Sequence, residues 1–129
     1  MKKLRLCYVR AVRQCLIALF VCEALAIFWF GLFGDQAQTQ LQGFMGIDDL
    51  ALHMFAFLVA STTAFIIWAP PQTAVFLGLA AGGIELAQMF LPDRQPSLLD
   101  FSASGLGIAA GAVTFLVWRR LVGLIAPAR

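Results

Sequence analysis

The chain has 129 residues, of which 61% are apolar and only 12% charged, with a formal net charge of +2. An ordinary soluble domain is about 45–50% apolar and about 25% charged, and so short a chain has too little interior to hide this apolar surface from water. Those proportions exclude a disordered chain, a nucleic-acid-binding arm and an ordinary cytosolic enzyme, and with a mean hydropathy of +0.87 they leave an all-α, polytopic membrane protein.

A bilayer core requires about 20 mainly apolar residues per helix. A basic N-terminus, residues 1–13, carries Lys2, Lys3, Arg5, Arg10 and Arg13. It leads into a first predicted helix from Gln14 to Phe33, closed by Gly31 and Gly34. The apolar run exceeds the roughly 7–15 residues of a signal peptide, so it reads as an uncleaved span. Cys7, Cys15 and Cys22 fall in this region. They are odd in number and form no C-x-x-C pair, which suits packing residues rather than a disulfide framework or a metal site.

The loop from Asp35 to Asp49 is rich in Gln and Gly. A second helix is predicted from Leu50 to Trp68, then a tight hairpin at Pro70 and Pro71, then a third helix from Thr73 to Leu91. Pro92 and Pro96 bracket the next turn, which holds Asp93 and Arg94, and a fourth helix runs from Leu98 to Trp118. Residues 119–129 form a short basic tail. The expectation is one four-helix transmembrane domain over residues 14–118.

Eight of the nine basic residues flank the start of the first helix or the end of the fourth, and Arg94 alone lies on the other side. The positive-inside rule makes the first side cytoplasmic, and four spans return the chain there. Both termini are then cytoplasmic, in the inner (cytoplasmic) membrane, with the Asp35–Asp49 loop and the Pro92–Ser97 turn outside.

The remaining polar groups converge just below that outer face. Asp49 and His53 open the second helix, Glu85 and Gln88 close the third, Arg94 lies in the turn, and Asp100 is in the first turn of the fourth. At about 1.5 Å per residue, His53 lies about 6 Å inward of Asp49 and Glu85 about 9 Å inward of Leu91. Each group shares a helical stripe with small residues: Asp49, His53, Ala56, Ala60 and Ala64; Gly78, Gly82, Glu85 and Gln88; Asp100, Ala103, Gly107 and Gly111. Gly78–Gly82 and Gly107–Gly111 are G-x-x-x-G pairs, the spacing that lets membrane helices approach closely. The pattern predicts an outward-facing polar pocket inside a bundle.

Structural roles compete for the same residues. Asp48 or Asp49 suits the N-cap of the second helix, and Ser97-Leu98-Leu99-Asp100 has the form of a capping box. Arg94 suits an interfacial anchor. Glu85 sits away from a helix start, where a charge costs about 2.5–3.5 kcal/mol on insertion scales, so it needs a partner such as Arg94 or His53, or a function. Glu23, near the middle of the first helix, is expected to be a neutral or helix-paired carboxyl and stays outside the site.

These residues resemble the pattern of the VanZ-like membrane proteins, a family associated with low-level teicoplanin resistance. The first block is Asp49-Leu50-Ala51-Leu52-His53, and the second is Glu85, Gln88, Pro92, Arg94, Asp100, Ser104 and Gly107, in order and spacing. The resemblance covers residues 47 to 111 or so. Leu50 stands where the family usually has Lys, removing an anion contact, and Ser104 where it usually has Asn, changing the hydrogen bonding near Asp100.

The resemblance implies a place in cell-envelope assembly and glycopeptide susceptibility. The first functional reading is a non-enzymatic protein that binds an anionic membrane lipid, lipid-linked envelope precursor or glycan headgroup. Its ligand residues are Asp49, His53, Glu85, Gln88, Arg94, Asp100 and Ser104, with Arg94 on the anion. The second is an intramembrane enzyme acting on an envelope lipid, with Glu85 and His53 as acid–base candidates and Ser104 as an alternative nucleophile. No G-x-S-x-G, H-E-x-x-H or Walker motif accompanies them. An ion or proton pathway and an accessory subunit packed through glycines, in a homo-oligomer or with another membrane protein, complete the set. No cofactor and no metal is expected: one histidine and no outward cysteine argue against zinc, and a divalent cation on Asp49, Glu85 and Asp100 is the remaining metal alternative.

Overall fold

The computed structural model describes residues 2–33, 39–40, 43–44, 46, 48–92 and 94–125, with side chains described from residue 7 to residue 123 of these. Gly34, Asp93, Arg129 and most of the Asp35–Asp49 loop lie outside the described residues. Four long helices carry the fold: α1 (Lys2–Phe33), α2 (Asp49–Ile67), α3 (Pro70–Gln88) and α4 (Leu98–Ile125). Among the described residues there is no strand.

Helix starts and stops differ from the sequence expectation in informative ways. The basic N-terminal segment is part of α1 rather than a separate piece, and α4 continues past Arg119 and Arg120. Pro70 and Pro71 do not merely separate two helices but begin α3, after Trp68 closes α2 and Ala69 caps α3. A proline is preorganised for the first helical turn, where its missing N–H costs nothing. The helix therefore runs from Pro70 to Gln88 instead of from Thr73 to Leu91.

Three of the four helices are long and apolar enough to cross a membrane: α1 over Cys7–Phe33, α2 over Asp49–Ile67 and α4 over Leu98–Gly123. Helix α3 has 19 residues like α2, but two prolines, three glycines, Gln72, Glu85 and Gln88 dilute it. The distribution of size also fits a membrane bundle. Ala60, Ala64 and Ala103 are buried, whereas Leu79, Leu106 and Val113 are exposed. Without a hydrophobic force between helices in lipid, small residues at the contact permit close van der Waals packing.

Side-chain contacts fix the helix directions. Asp49 and Asp100 come together at one end, His53 meets Ser104, and Phe65 meets Phe115 further along, so α2 and α4 run parallel. Helix α1 runs against α2, with Glu23 accepting a 3.1 Å hydrogen bond from Thr63 and Phe20 edge-on to Trp68. The starts of α2 and α4 therefore share one end of the bundle with the ends of α1 and α3.

The α2–α4 pair makes the most extensive contact, and its glycines explain why. A Cβ added at Gly107 would collide with the Met54 carbonyl oxygen and lie 3.0 Å from Leu58 N. One added at Gly111 would collide with Ser61 Oγ. Backbone rests on backbone here. The other expected glycine pair is turned away from such a contact. A Cβ at Gly78 would meet nothing within 4 Å, and one at Gly82 would make ordinary contact with Phe101 at 3.5 Å. The buried stripe of α3 is Thr73, Leu77, Ala81, Ile84, Glu85 and Gln88, one position round from the glycines. Gly31 of α1 takes the close role, since a Cβ there would stand 2.9 Å from Ile84.

Overpacking of this kind typically costs about 1–3 kcal/mol. Gly107→Ala should lower stability in mild detergent by at least that amount, read from thermal unfolding. Gly78→Ala should be neutral or raise stability by about 0.4–1 kcal/mol through the unfolded chain.

Candidate functional site

Four helix ends meet at the polar end of the bundle, and each brings orphaned backbone groups. The last four carbonyls of a helix and its first four N–H groups have no partner inside it. Within a bilayer such groups must be satisfied internally. Much of the polar sequence here does that work.

At the end of α1, Gln88 Nε2 donates to Gly31 O at 2.7 Å in a buried bond, and an Arg94 guanidinium nitrogen donates to Phe30 O at 3.0 Å. A cation at a helix C-terminus also suits the helix dipole. At the start of α2, Asp48 is the N-cap, accepting from Ala51 N at 2.8 Å. Asp49 is then the first helical residue and not the cap. At the start of α4, Ser97 Oγ accepts from Asp100 N at 3.2 Å, which is half of the expected capping box. The other half is different. The Ser97 N–H donates at 2.7 Å to Glu85 Oε2 of α3, not to Asp100. Glu85, only 8% exposed, thus finds a partner in a helix start.

Two consequences follow for the aspartates. Asp48 takes the cap that Asp49 could have made, and Glu85 takes the one that Asp100 could have made. Asp49 and Asp100 then converge on His53, with one ligand atom from each of the three residues within 4.8 Å of the others. His53 Nε2 stands 4.0 Å from Asp49 Oδ1. On its other edge, Nδ1 is 3.4 Å from Ser104 Oγ. Ser104, 1% exposed, donates its hydroxyl proton to Asp100 O at 2.9 Å. The cation set Asp49, Glu85 and Asp100 is not what the fold assembles; His53 takes the place of Glu85.

Beside this cluster lies a cavity of ≈ 170 Å³. Its walls are apolar, with Ala26 and Ile27 of α1, Ala56 and Phe57 of α2, and Ala81 and Ile84 of α3. His53, Glu85 and Ser104 form its polar edge. Arg94 is not in the lining, but it holds the carbonyl of Phe30, which is. The seven sequence-predicted ligand residues therefore fall into two sets. Glu85, Gln88 and Arg94 tie helix ends together, and Asp49, His53, Asp100 and Ser104 form one cluster.

Sequence reasoning missed the apolar wall from α1, where Ala26 and Ile27 carry no polar signal. It also missed Gly31 as both a close-packing point and an acceptor; its position on the same face as Ile27 was the available cue. Glu23, expected to be neutral or helix-paired, bonds Thr63 through Oε1, and its buried Oε2 has no hydrogen-bond partner among the described residues. No family model, no curated protein and no solved structure matches the chain.

A hydrogen bond to a charged group contributes about 1.5–3 kcal/mol, and more is lost when a buried partner is left unsatisfied. Glu85→Leu should therefore lower unfolding stability by about 2–3 kcal/mol. Glu85→Gln keeps an oxygen acceptor for the Ser97 N–H and should cost about half as much. Thermal unfolding of the two variants beside wild type checks the order.

Proposed function

We propose that the chain is a VanZ-like integral protein of the bacterial inner membrane, with both termini cytoplasmic, α3 as its fourth span and the cavity facing outward. It binds an amphiphile of the cell envelope, a lipid or lipid-linked precursor with an anionic headgroup. The observation that carries this reading is the cavity's composition: apolar walls on three helices and a polar edge of His53, Glu85 and Ser104. A pocket with mostly apolar lining and a few placed polar groups is the usual form of a small-molecule site. The acyl portion occupies the walls, and the headgroup lies at the Asp49, His53, Asp100 and Ser104 end. Arg94, held at the rim through Phe30, supplies a guanidinium suited to phosphate or carboxylate. Support from sequence comes from the VanZ-like spacing of Asp49, His53, Glu85, Gln88, Arg94 and Asp100. A role in glycopeptide susceptibility rests on that resemblance alone.

A second reading has one observation in its favour. His53 Nδ1 beside Ser104 Oγ places a base next to a hydroxyl, the arrangement of an activated nucleophile. Against it, the hydroxyl proton is engaged by Asp100 O and the side chain is almost wholly buried. Glu85, the other acid–base candidate, has Oε2 committed to the start of α4. Ser104 is better placed to orient His53 than to attack a substrate. If the enzyme reading holds, Ser104→Ala abolishes turnover of the bound lipid while leaving it bound.

Lipid mass spectrometry on protein purified in mild detergent tests the proposal. Wild type should carry one envelope lipid enriched over the bulk membrane. Ala56→Phe, which fills the cavity, should lose it, and so should Arg94→Gln, which keeps a donor for the Phe30 carbonyl but removes the charge. Val75→Phe, on an exposed face of α3, should retain it. Identical bulk lipid on all four proteins contradicts the reading.

A further inference from the structure

We propose that Asp49, His53 and Asp100 bind one divalent transition-metal ion of the Zn²⁺ class. The ion deepens the headgroup reading by giving an anionic group a positive partner among carboxylates, but the site is assembled and tested without any lipid.

Geometry provides the first argument. The three donor atoms lie within 4.8 Å of one another. The 4.0 Å from His53 Nε2 to Asp49 Oδ1 is too long for a hydrogen bond. A tetrahedral ion with Zn–N and Zn–O bonds of about 2.0–2.2 Å sets its donors about 3.3–3.6 Å apart, so side-chain rotations that move them by a few tenths of an ångström to about 1 Å bring the three donors onto one ion.

The hydrogen bonds around His53 provide an independent argument. Ser104 donates its single proton to Asp100 O, so toward His53 its oxygen can only accept. Nδ1 is then the edge of the ring that donates to Ser104, which leaves Nε2, on the side of Asp49, as the ring's ligand atom. A ligating histidine that gives its other N–H to a fixed acceptor is the usual outer-shell arrangement of a metal site. Ser104, at 1% exposure, is such an acceptor, and the backbone contact at Gly107 fixes α4 beside α2 only one turn away.

Capping provides the third argument. The fold employs Asp48 for the start of α2 and Glu85 of another helix for the start of α4. These caps are thus made by residues outside the donor set, Asp48, Glu85 and Ser97. An imidazole in the donor set selects transition metals over Mg²⁺ and Ca²⁺, which prefer oxygen alone. Three protein donors leave a position for an outside ligand, and the cavity edge at His53 is where that ligand would arrive.

Zn²⁺ itself is the probe. The full chain, purified in mild detergent without a polyhistidine tag and stripped with a chelator, is dialysed against Zn²⁺ and its metal content is measured. Wild type should hold one more Zn²⁺ per chain than His53→Gln or Asp100→Asn in the same background, so that any uptake by Cys7, Cys15 and Cys22 cancels. Ser104→Ala should keep the stoichiometry and weaken binding about tenfold, the usual effect of losing an outer-shell partner. Asp48→Asn, which alters charge at the same helix start but keeps a capping group, should bind as wild type. Zn²⁺ should also raise the melting temperature of wild type and Asp48→Asn, a readout that needs no ligand variant to fold. Equal Mg²⁺ should not compete. Absence of Zn²⁺ uptake and of a thermal shift in wild type, or equal uptake by folded His53→Gln and Asp100→Asn, overturns the proposal. Lipid retained by wild type with no Zn²⁺ bound defeats the metal alone; Zn²⁺ bound with no enriched lipid defeats the headgroup reading alone.

Discussion

The contact of α2 with α4 at Gly107 and Gly111 is the constraint on which the rest of the structure depends. A Cβ at either position would collide with the Met54 carbonyl or with Ser61 Oγ, so these two parallel helices lie this close only with glycine at both places. That register places Ser104 against His53 and Asp100 against Asp49. A larger residue at Gly107 would separate the helices at the point where four polar side chains meet. Packing and site are thus one feature: a small-residue seam along the bundle interior ends in a cluster of donors near the helix starts.

The polar side chains at this end do two kinds of work, and separating them changes the functional argument. Gln88 and Arg94 satisfy carbonyls at the end of α1, and Glu85 satisfies an N–H at the start of α4. These bonds are needed wherever helix ends meet in a region poor in water. They account for a buried carboxylate without invoking chemistry. Asp49, His53, Asp100 and Ser104 are different because simpler partners already cover the helix starts beside them. The apolar cavity next to this second set makes it the natural place for a ligand's polar end.

The helical architecture was legible in the sequence because apolar run length and Pro or Gly punctuation act locally. Each of the four helices overlaps its expected segment, but α1 begins at Lys2 and α4 runs on to Ile125, and α3 begins three residues early because prolines start a helix as readily as they end one. The convergence of Asp49, His53, Glu85 and Asp100 near one depth was also legible, since rise per residue and helix order suffice. Rotation was not. The glycines of α3 share a stripe with Glu85 on paper, yet Leu77 and Ala81 face the bundle, and which face turns inward depends on partners distant in sequence. The capping of α4 by Glu85 was equally hidden, because a S-x-x-D sequence looks self-sufficient. The contribution of α1 to the cavity, through Ala26 and Ile27, has no chemical signature at all.

Oxidative cross-linking in native membranes tests the central claim, that parallel α2 and α4 bring His53 and Ser104 together. Cys7, Cys15 and Cys22 are first replaced by Ser, and His53→Cys is combined with Ser104→Cys. A second pair combines Val75→Cys on α3 with the same Ser104→Cys. Rapid intramolecular cross-linking of the first pair, with none in the second, is the outcome this account predicts. Failure of the first pair to cross-link in protein of normal abundance, or equal cross-linking of both pairs, would contradict it.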